Sequence, residues 1–439
     1  MAQPDVNLFF HRGPVRDSAH FFGRASDMRQ LMSLIRNGQS VSVIGQRRLG
    51  KTSLLYRVMD HDFSSEAPVL RVYMDCGALV ALDHQALYRA LLEDIADALA
   101  ASLIDVVLVP LQGDAIITYR DFERALRYLF RHVSQLILIL DEFELLSHNP
   151  HLRSDFFTGL RALAMRYPVT FITASQQPLL ELTYADESTL SSPFFNIFAT
   201  IRLGLFPSDV TLTLLSTLSA LSGQPFSADL IASLTLLSGG HPLFVQIGGY
   251  HALDLLQQDH LTPETLRERF AESILPHLDY YWRALSHGEQ RTLLTLSMAS
   301  HQSHDSLRTL EQACLIRRDD HNNLIYLSPV LHDFVLRQTV RGVMQSGPVM
   351  IDEEQHEVNC HGESIDVTPT QYELLSVFMT HVGQVMTNEA LERLLWGEAV
   401  VDDPERLKSV IKGLRRALGG AADHIENVRG IGYRWRSTL

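Results

Sequence analysis

Ser40-Val41-Ser42-Val43-Ile44-Gly45-Gln46-Arg47-Arg48-Leu49-Gly50-Lys51-Thr52-Ser53-Leu54-Leu55 is the stretch that decides the fold. Ser40–Ile44 reads as a buried strand, a Gly-containing loop follows, and Lys51–Met59 has the pattern of a helix. Between them Gly45–Thr52 matches G-x-x-x-x-G-K-[ST] in full, in the strand-then-helix context that this pattern requires. The glycines let backbone N–H groups curl around phosphate oxygens, and the helix N-terminus adds its positive dipole end. Gly45, Arg48, Gly50, Lys51, Thr52 and Ser53 are the expected nucleotide contacts. Lys51 is placed to reach the β- and γ-phosphates and Thr52 to ligate Mg²⁺.

Outward from this loop, short apolar runs recur at Val69–Met74, Leu136–Leu140, Val169–Thr173 and Ile201–Leu205, with helical segments between them. Strands alternating with helices predict βαβ units and a parallel sheet, the α/β P-loop NTPase class. Leu136–Leu140 runs into Asp141-Glu142. There Asp141 is expected to hold Mg²⁺ through water and Glu142 to polarise the attacking water; the alternative is a carboxylate pair capping the next helix. The strand at Val169 ends in Thr173-Ala174-Ser175-Gln176, where Ser175 or Gln176 could sense a γ-phosphate, or the residues could simply turn the chain. No N-K-x-D motif for guanine occurs, which favours ATP over GTP.

Phe21-Phe22-Gly23-Arg24, the GQRRLGKTSLL segment, LILILDE and Gly240-His241-Pro242 together resemble the STAND class of AAA+-related ATPases, in its archaeal-type branch, over roughly residues 20–340. The resemblance implies that Arg24 helps hold the adenine and that His241 and Pro242 touch the nucleotide from a helical lid. It also implies a slowly hydrolysing switch, which needs only different affinities of two states for ATP and ADP. Where the family usually has Glu-x-Glu after Gly-Arg, this chain has Ala25-Ser26-Asp27, and no arginine finger is apparent.

The expected domains are an arm at 1–20, the ATPase domain at 21–206, a helical lid at 207–277, a winged helix at 278–343 with a hairpin at Arg317–Leu327, and a final domain at 349–439. Gly347-Pro348 reads as the linker before the last of these.

In that last segment Thr368 and Gln371 form a capping-box arrangement. Helices are predicted from Thr387 to Trp396-Gly397 and over about Pro404–Leu418. Leu407, Ile411, Leu414 and Leu418 recur on one face of the second helix, and Arg406, Lys408, Ser409, Lys412, Arg415 and Arg416 occupy the rest. Val428–Arg436 alternates like a hairpin strand. A helix with an apolar seam and a basic outer face beside a basic hairpin is how a winged helix-turn-helix reads DNA. The motifs Thr368–Leu375, Trp396-Gly397, Leu414–Leu418 and Val428–Tyr433 closely resemble the OmpR/PhoB-type domain of transcriptional regulators, with Gln371 in place of the usual Glu.

That resemblance implies major-groove readers at Arg406, Lys408, Ser409 and Lys412, phosphate contacts at Arg415 and Arg416, and a wing contact at Arg429. The partners it implies are promoter double-stranded DNA and RNA polymerase, the polymerase at the acidic loop Glu398–Asp403 unless that loop is merely solvated. Gly413, inside the helix, should cost ~1 kcal/mol relative to Ala. It either admits close approach to DNA or is tolerated.

The composition sets these motifs in context. The 439 residues suggest about three domains. With 37 Lys and Arg against 51 Asp and Glu, the formal charge is −14. DNA binders usually leave a basic footprint. It is present locally: residues 405–439 carry eight Lys and Arg and three acids, +5, against −19 for the rest. Three scattered cysteines predict no disulfide framework. None of the 20 histidines has metal-site spacing, and no apolar run is long enough for a signal peptide or a membrane span. These features predict a cytoplasmic protein. The leading expectation is an ATP-controlled transcription regulator able to form a nucleotide-dependent homo-oligomer. The alternatives are an origin-recognition-like initiator ATPase and a STAND defence or stress switch in which DNA binding is secondary.

Overall fold

The structure, a computed structural model, describes residues 7–9, 13–63, 68–108, 116–152, 154–179, 193–296, 303–319, 321–340, 342–353, 355–397 and 404–436. The chain divides into two compact units, residues 1–274 with 312–314, and residues 275–311 with 315–439.

The first unit is built on a five-stranded sheet of β1 (Ser40–Ile44), β2 (Val69–Asp75), β3 (Gln135–Asp141), β4 (Val169–Ser175) and β5 (Phe198–Arg202). All its pairings are parallel and the order is β2-β3-β4-β1-β5. β1 and β4 are buried along their whole length. This is expected of a parallel sheet covered on both faces and explains their uninterrupted apolar character. Side chains of β3 alternate between two cores. Ile137 and Ile139 pack with Leu31, Ile35, Leu54 and Val58 of helices α1 (Ala25–Arg36) and α2 (Lys51–Asp60). Leu136, Leu138 and Leu140 join the opposite core with residues of the helices His84–Ala101 and Tyr119–Leu129. The order places the carboxyl ends of β1, β4 and β3 side by side, so the loops that follow them meet at one edge, where ligands bind in sheets of this kind.

The fifth strand lies three residues earlier than the expected Ile201–Leu205. It pairs with β1 from Ser40↔Phe198 to Ile44↔Arg202. As an edge strand it has one buried residue, Ile201, so the apolar signal came from Leu203 and Leu205, which have already left the sheet. Helices Ser208–Leu221, Ala228–Ser238, Pro242–Gln257 and Pro263–Ala284 follow. The expected lid boundary at 277 falls inside the last of these, and the division between units falls in the same helix, after Ile274.

The expected N-terminal arm is a packed strap where it is described. Phe9 is 2% exposed. It stacks on Phe226 at 5.6 Å and lies against Gly249, where a Cβ would collide with its ring. Further along, Val15 N–H donates to Ser53 Oγ at 2.9 Å and Arg57 donates to the Arg16 carbonyl at 2.6 Å.

The second unit begins with helices and a hairpin. The strands β6 (Ile316–Arg318) and β7 (Leu324–Tyr326) pair antiparallel, and the Asp319 carboxylate ties their turn by accepting from the N–H groups of His321 and Asn323. A four-stranded antiparallel sheet follows, made of β8 (Val343–Ser346), β9 (Val349–Asp352), β10 (Glu357–Cys360) and β11 (Glu363–Ser364). Gly347-Pro348 is therefore no linker. It is the turn between two paired strands, with Gly347 at φ 60°. The remaining elements are helices Pro369–Thr380, Asn388–Trp396 and Pro404–Leu418 and a sheet of β12 (Val385–Thr387), β13 (Ile425–Val428) and β14 (Gly432–Trp435). Leu407, Ile411, Leu414 and Leu418 are buried, as their spacing requires. Trp435 is fully buried, and its indole N–H donates to Ser346 Oγ at 3.0 Å. All three cysteines are free and buried.

Candidate nucleotide and nucleic-acid sites

The loop after β1 owes its shape to Gly50, at φ 91° and ψ 21°, a left-handed position immediately before α2. Arg48 is also left-handed, at φ 68°, and exposed. At Gly45 a Cβ would stand 3.0 Å from the Leu203 carbonyl, so a side chain there would crowd the chain leaving β5. Lys51 Nζ donates to the carbonyls of Gly45 at 2.7 Å and Gln46 at 3.2 Å. Burial lowers its pKa below the ordinary lysine value, opposed by the charges of Glu144, Asp141 and Glu142. Thr52 is half-buried in the first turn of α2. Ser53 is buried, and its hydroxyl is committed to Val15 N–H; only its backbone lies with the first-turn N–H groups.

At the end of β3 the Asp141 carboxylate is buried and accepts from Tyr73 OH at 2.9 Å and Glu142 N–H at 3.0 Å. Glu142 is exposed and left-handed, at φ 51°. Strain of this kind in a non-glycine residue costs about 1–3 kcal/mol and gathers at functional sites. Partial desolvation of its carboxyl first, then the charges of Asp75, Asp141 and Glu144, raise its pKa above the ordinary carboxylate value. Burial and the adjacent Asp141 likewise push the Tyr73 phenol up.

At the end of β4 the two sensor candidates separate. Ser175 is buried and its hydroxyl donates to the Gln177 carbonyl at 2.7 Å. Gln176 is half-buried and donates to Glu144 Oε1 at 3.2 Å. Sequence reasoning missed Glu144, Asp75 and Tyr73. Their signal was position: Asp75 and Tyr73 close the strand that pairs with β3, and Glu144 lies one turn beyond Asp141.

Arg24 is committed to bonds within the chain. The residue is 5% exposed. It donates to the carbonyls of Leu49 at 2.9 Å and Gly204 at 2.7 Å and lies 4.8 Å over the Phe206 ring. It thus ties the phosphate loop to the chain leaving β5. The lid turn meets the same residue, for Phe206 N–H donates to the Gly240 carbonyl at 2.7 Å. His241 is 1% exposed and its ring lies 4.2 Å from that of Phe244. Pro242 opens the following helix. Arg24 and the Gly-His-Pro turn therefore converge on Phe206, which the sequence alone did not single out.

In the second unit, Lys408, Ser409, Lys412 and Arg416 are exposed on helix Pro404–Leu418, and Arg429 is exposed at the wing turn. Lys408 pairs with Glu405 at 2.8 Å. Arg406 lies 4.2 Å over the Trp396 ring. Arg415 differs from the expected phosphate contact: it is half-buried and donates to the Ile425 carbonyl at 2.6 Å, binding the helix to the wing. Arg434 and Arg436 both pair with Glu426, whose pKa they hold below the ordinary value. At Gly413 a Cβ would meet the side-chain amide of Gln371, the capping-box partner of Thr368. The acidic loop Glu398–Asp403 lies outside the described residues.

Comparisons with known proteins match both parts of the chain. Residues 26–299 match the family described as novel STAND NTPase 2, and residues 362–435 match the C-terminal domain of transcriptional regulatory proteins. The sensory transduction protein RegX3 of Mycobacterium tuberculosis is 36% identical over 98 residues, 21% of this chain and 42% of that protein. The phosphate regulon transcriptional regulatory protein PhoB of Escherichia coli is 34% identical over 98 residues, 22% of this chain and 43% of that protein. The chain thus spans less than half the length of these curated relatives. A Walker-type ATPase of Pyrococcus abyssi shares the fold, with a TM-score of 0.55 and 18% identity, over 75% of this chain and 99% of that one. Among the described residues no helix is long and apolar enough to cross a membrane. With the first match taking in more than half of its residues, the chain belongs to the novel STAND NTPase 2 family, and it joins that NTPase to an OmpR/PhoB-type C-terminal domain.

Proposed function

We propose that the protein is an ATP-binding, slowly hydrolysing switch that regulates transcription by controlling its own C-terminal DNA reader. The observation that supports this most is the convergence of the Gly45–Thr52 loop, Asp141-Glu142 and Gln176 on one edge of the sheet. Lys51, now bonded to loop carbonyls, is the donor that the β- and γ-phosphates of ATP would take over. The first-turn N–H groups of α2 and the Gly45 cradle hold the rest of the phosphate chain. Thr52 and Asp141 fit Mg²⁺, as a hydroxyl and a buried carboxylate at the loop edge. Mg²⁺, when bound, neutralises charge between the phosphates. Glu142, with its raised pKa, accepts the proton of the attacking water, and Gln176 senses the terminal phosphate through an amide held by Glu144. Arg24, His241 and Pro242 act at one remove, by fixing the loop and the lid around Phe206.

DNA enters the proposal through the exposed basic face of helix Pro404–Leu418 and Arg429. Arg406, Lys408, Ser409 and Lys412 read bases, Arg416 and Arg429 meet phosphates, and Arg415 braces the wing. Promoter DNA is the target that the C-terminal match favours over a replication origin. RNA polymerase at Glu398–Asp403 and nucleotide-dependent self-assembly complete the reading, as does a cytoplasmic location. The test is DNA affinity and assembly state of the purified protein with ATP, ADP and neither. The proposal expects both to depend on the nucleotide, and identical values in all three conditions would overturn it.

A further inference from the structure

One chain of contacts reaches the Asp141 carboxylate from the N-terminal strap. Tyr73 OH, on β2, donates to Asp141 Oδ2 at 2.9 Å. The Tyr73 ring stacks on that of Tyr56, on α2, with centroids 5.1 Å apart and 27° between planes. Tyr56 OH accepts from Arg16 Nη2 at 3.1 Å, and the Arg16 guanidinium lies 4.6 Å over the same ring. Arg16 is fixed in turn through its carbonyl by Arg57 and through its neighbour Val15 by Ser53. The strap, the phosphate-loop helix and β2 therefore all bear on one carboxylate.

We propose that Tyr73 is a positioning residue for Mg²⁺, holding Asp141 in the orientation that receives the ion, with Tyr56 and Arg16 steadying Tyr73. The inference rests on the Mg-ATP reading of the site. Asp141 is 3% exposed, so an oxygen that loses its donor is left desolvated and unpaired, at a cost of about 1–3 kcal/mol. The carboxylate then turns to find another partner. A phenol suits the task, since it donates one hydrogen bond without adding a charge that would compete with the cation. Groups that orient a metal's ligands in this way typically change metal affinity by about 10- to 100-fold when removed.

The test uses the full chain and a fluorescent ATP analogue, titrated in EDTA and then in rising Mg²⁺. Tyr73→Phe keeps the ring stack and removes only the hydroxyl. It should raise the Mg²⁺ midpoint by roughly 10-fold or more, leaving Mg-free affinity unchanged. Arg16→Ala, at an exposed position, should shift the midpoint in the same direction by less. A Tyr73→Phe midpoint equal to the wild type overturns the inference. So does an equal loss of Mg-free affinity, which would mean a general structural role. Should Tyr73→Phe not fold, an unshifted midpoint in Arg16→Ala overturns it. A wild-type protein that binds no analogue at all overturns the Mg-ATP reading itself, a different and distinguishable failure.

Discussion

The Lys51 ammonium and the Gly45 carbonyl oxygen are 2.7 Å apart, so the lysine folds back on the loop that presents it. With that ammonium buried and its pKa lowered, an anion entering the cradle gains a donor that the loop only borrows. Lys51→Ala should therefore weaken ATP binding. A hydrogen bond to a charged group is worth about 1.5–3 kcal/mol, a loss of roughly 10- to 100-fold by calorimetry, with little change in melting temperature. Unchanged affinity would place the nucleotide elsewhere.

Glu142 should shape the pH profile of hydrolysis. It must be ionised to accept a proton, and its pKa lies above the ordinary carboxylate value of 4.5. The rate should therefore fall on acidification at a pH higher than an ordinary carboxylate would give, and stay level above it. Glu142→Gln should bind ATP but hydrolyse it at least ~100-fold more slowly, the scale of general-base catalysis. A Gln variant with wild-type turnover would assign the base elsewhere.

Gly413 and Gln371 should be energetically coupled. An interior Gly→Ala change in a helix normally gains about 1 kcal/mol. At Gly413 the new methyl displaces the Gln371 amide and breaks its bond from Thr368 N–H. Chemical denaturation of Gly413→Ala should show no such gain, while the gain should return in a Gln371→Ala background. Additive single and double variants would mean that the two do not touch.

Arg415 and Arg416 are neighbours with different tasks. Arg415→Ala should lower the melting temperature, because it frees the Ile425 carbonyl and loosens the wing. Arg416→Ala should leave the melting temperature alone and reduce the salt dependence of DNA binding by about one unit of slope, the signature of a lost phosphate contact. Equal effects of both changes in the two assays would contradict this division.

Much of this was legible in the sequence, for physical reasons that differ by region. The Gly45–Thr52 loop demands a strand before it and a helix after it, so one motif located β1 and α2. The buried β3 and β4 announced themselves as unbroken apolar runs, whereas the edge strand β5, with little to bury, was displaced by three residues. Lys51, Asp141 and Glu142 could be named because the motifs that single them out depend on local spacing. Phe206, Tyr73 and Phe9 could not, since each matters through partners distant in sequence: Arg24 and Gly240, Tyr56 and Asp141, Phe226 and Gly249. Gly413 stood out as an anomaly in a helix, but its cause lies in Gln371 on another helix. Arg415 and Arg416 looked equivalent in sequence until one was seen to bond the wing.

The central claim is that the nucleotide bound by one end of the chain governs the DNA bound by the other. Genome-wide occupancy of the wild-type protein beside Lys51→Ala tests it most directly. The account predicts that the substitution changes occupancy at the sites the wild type holds. Equal occupancy at every site would show that the reader works without the switch.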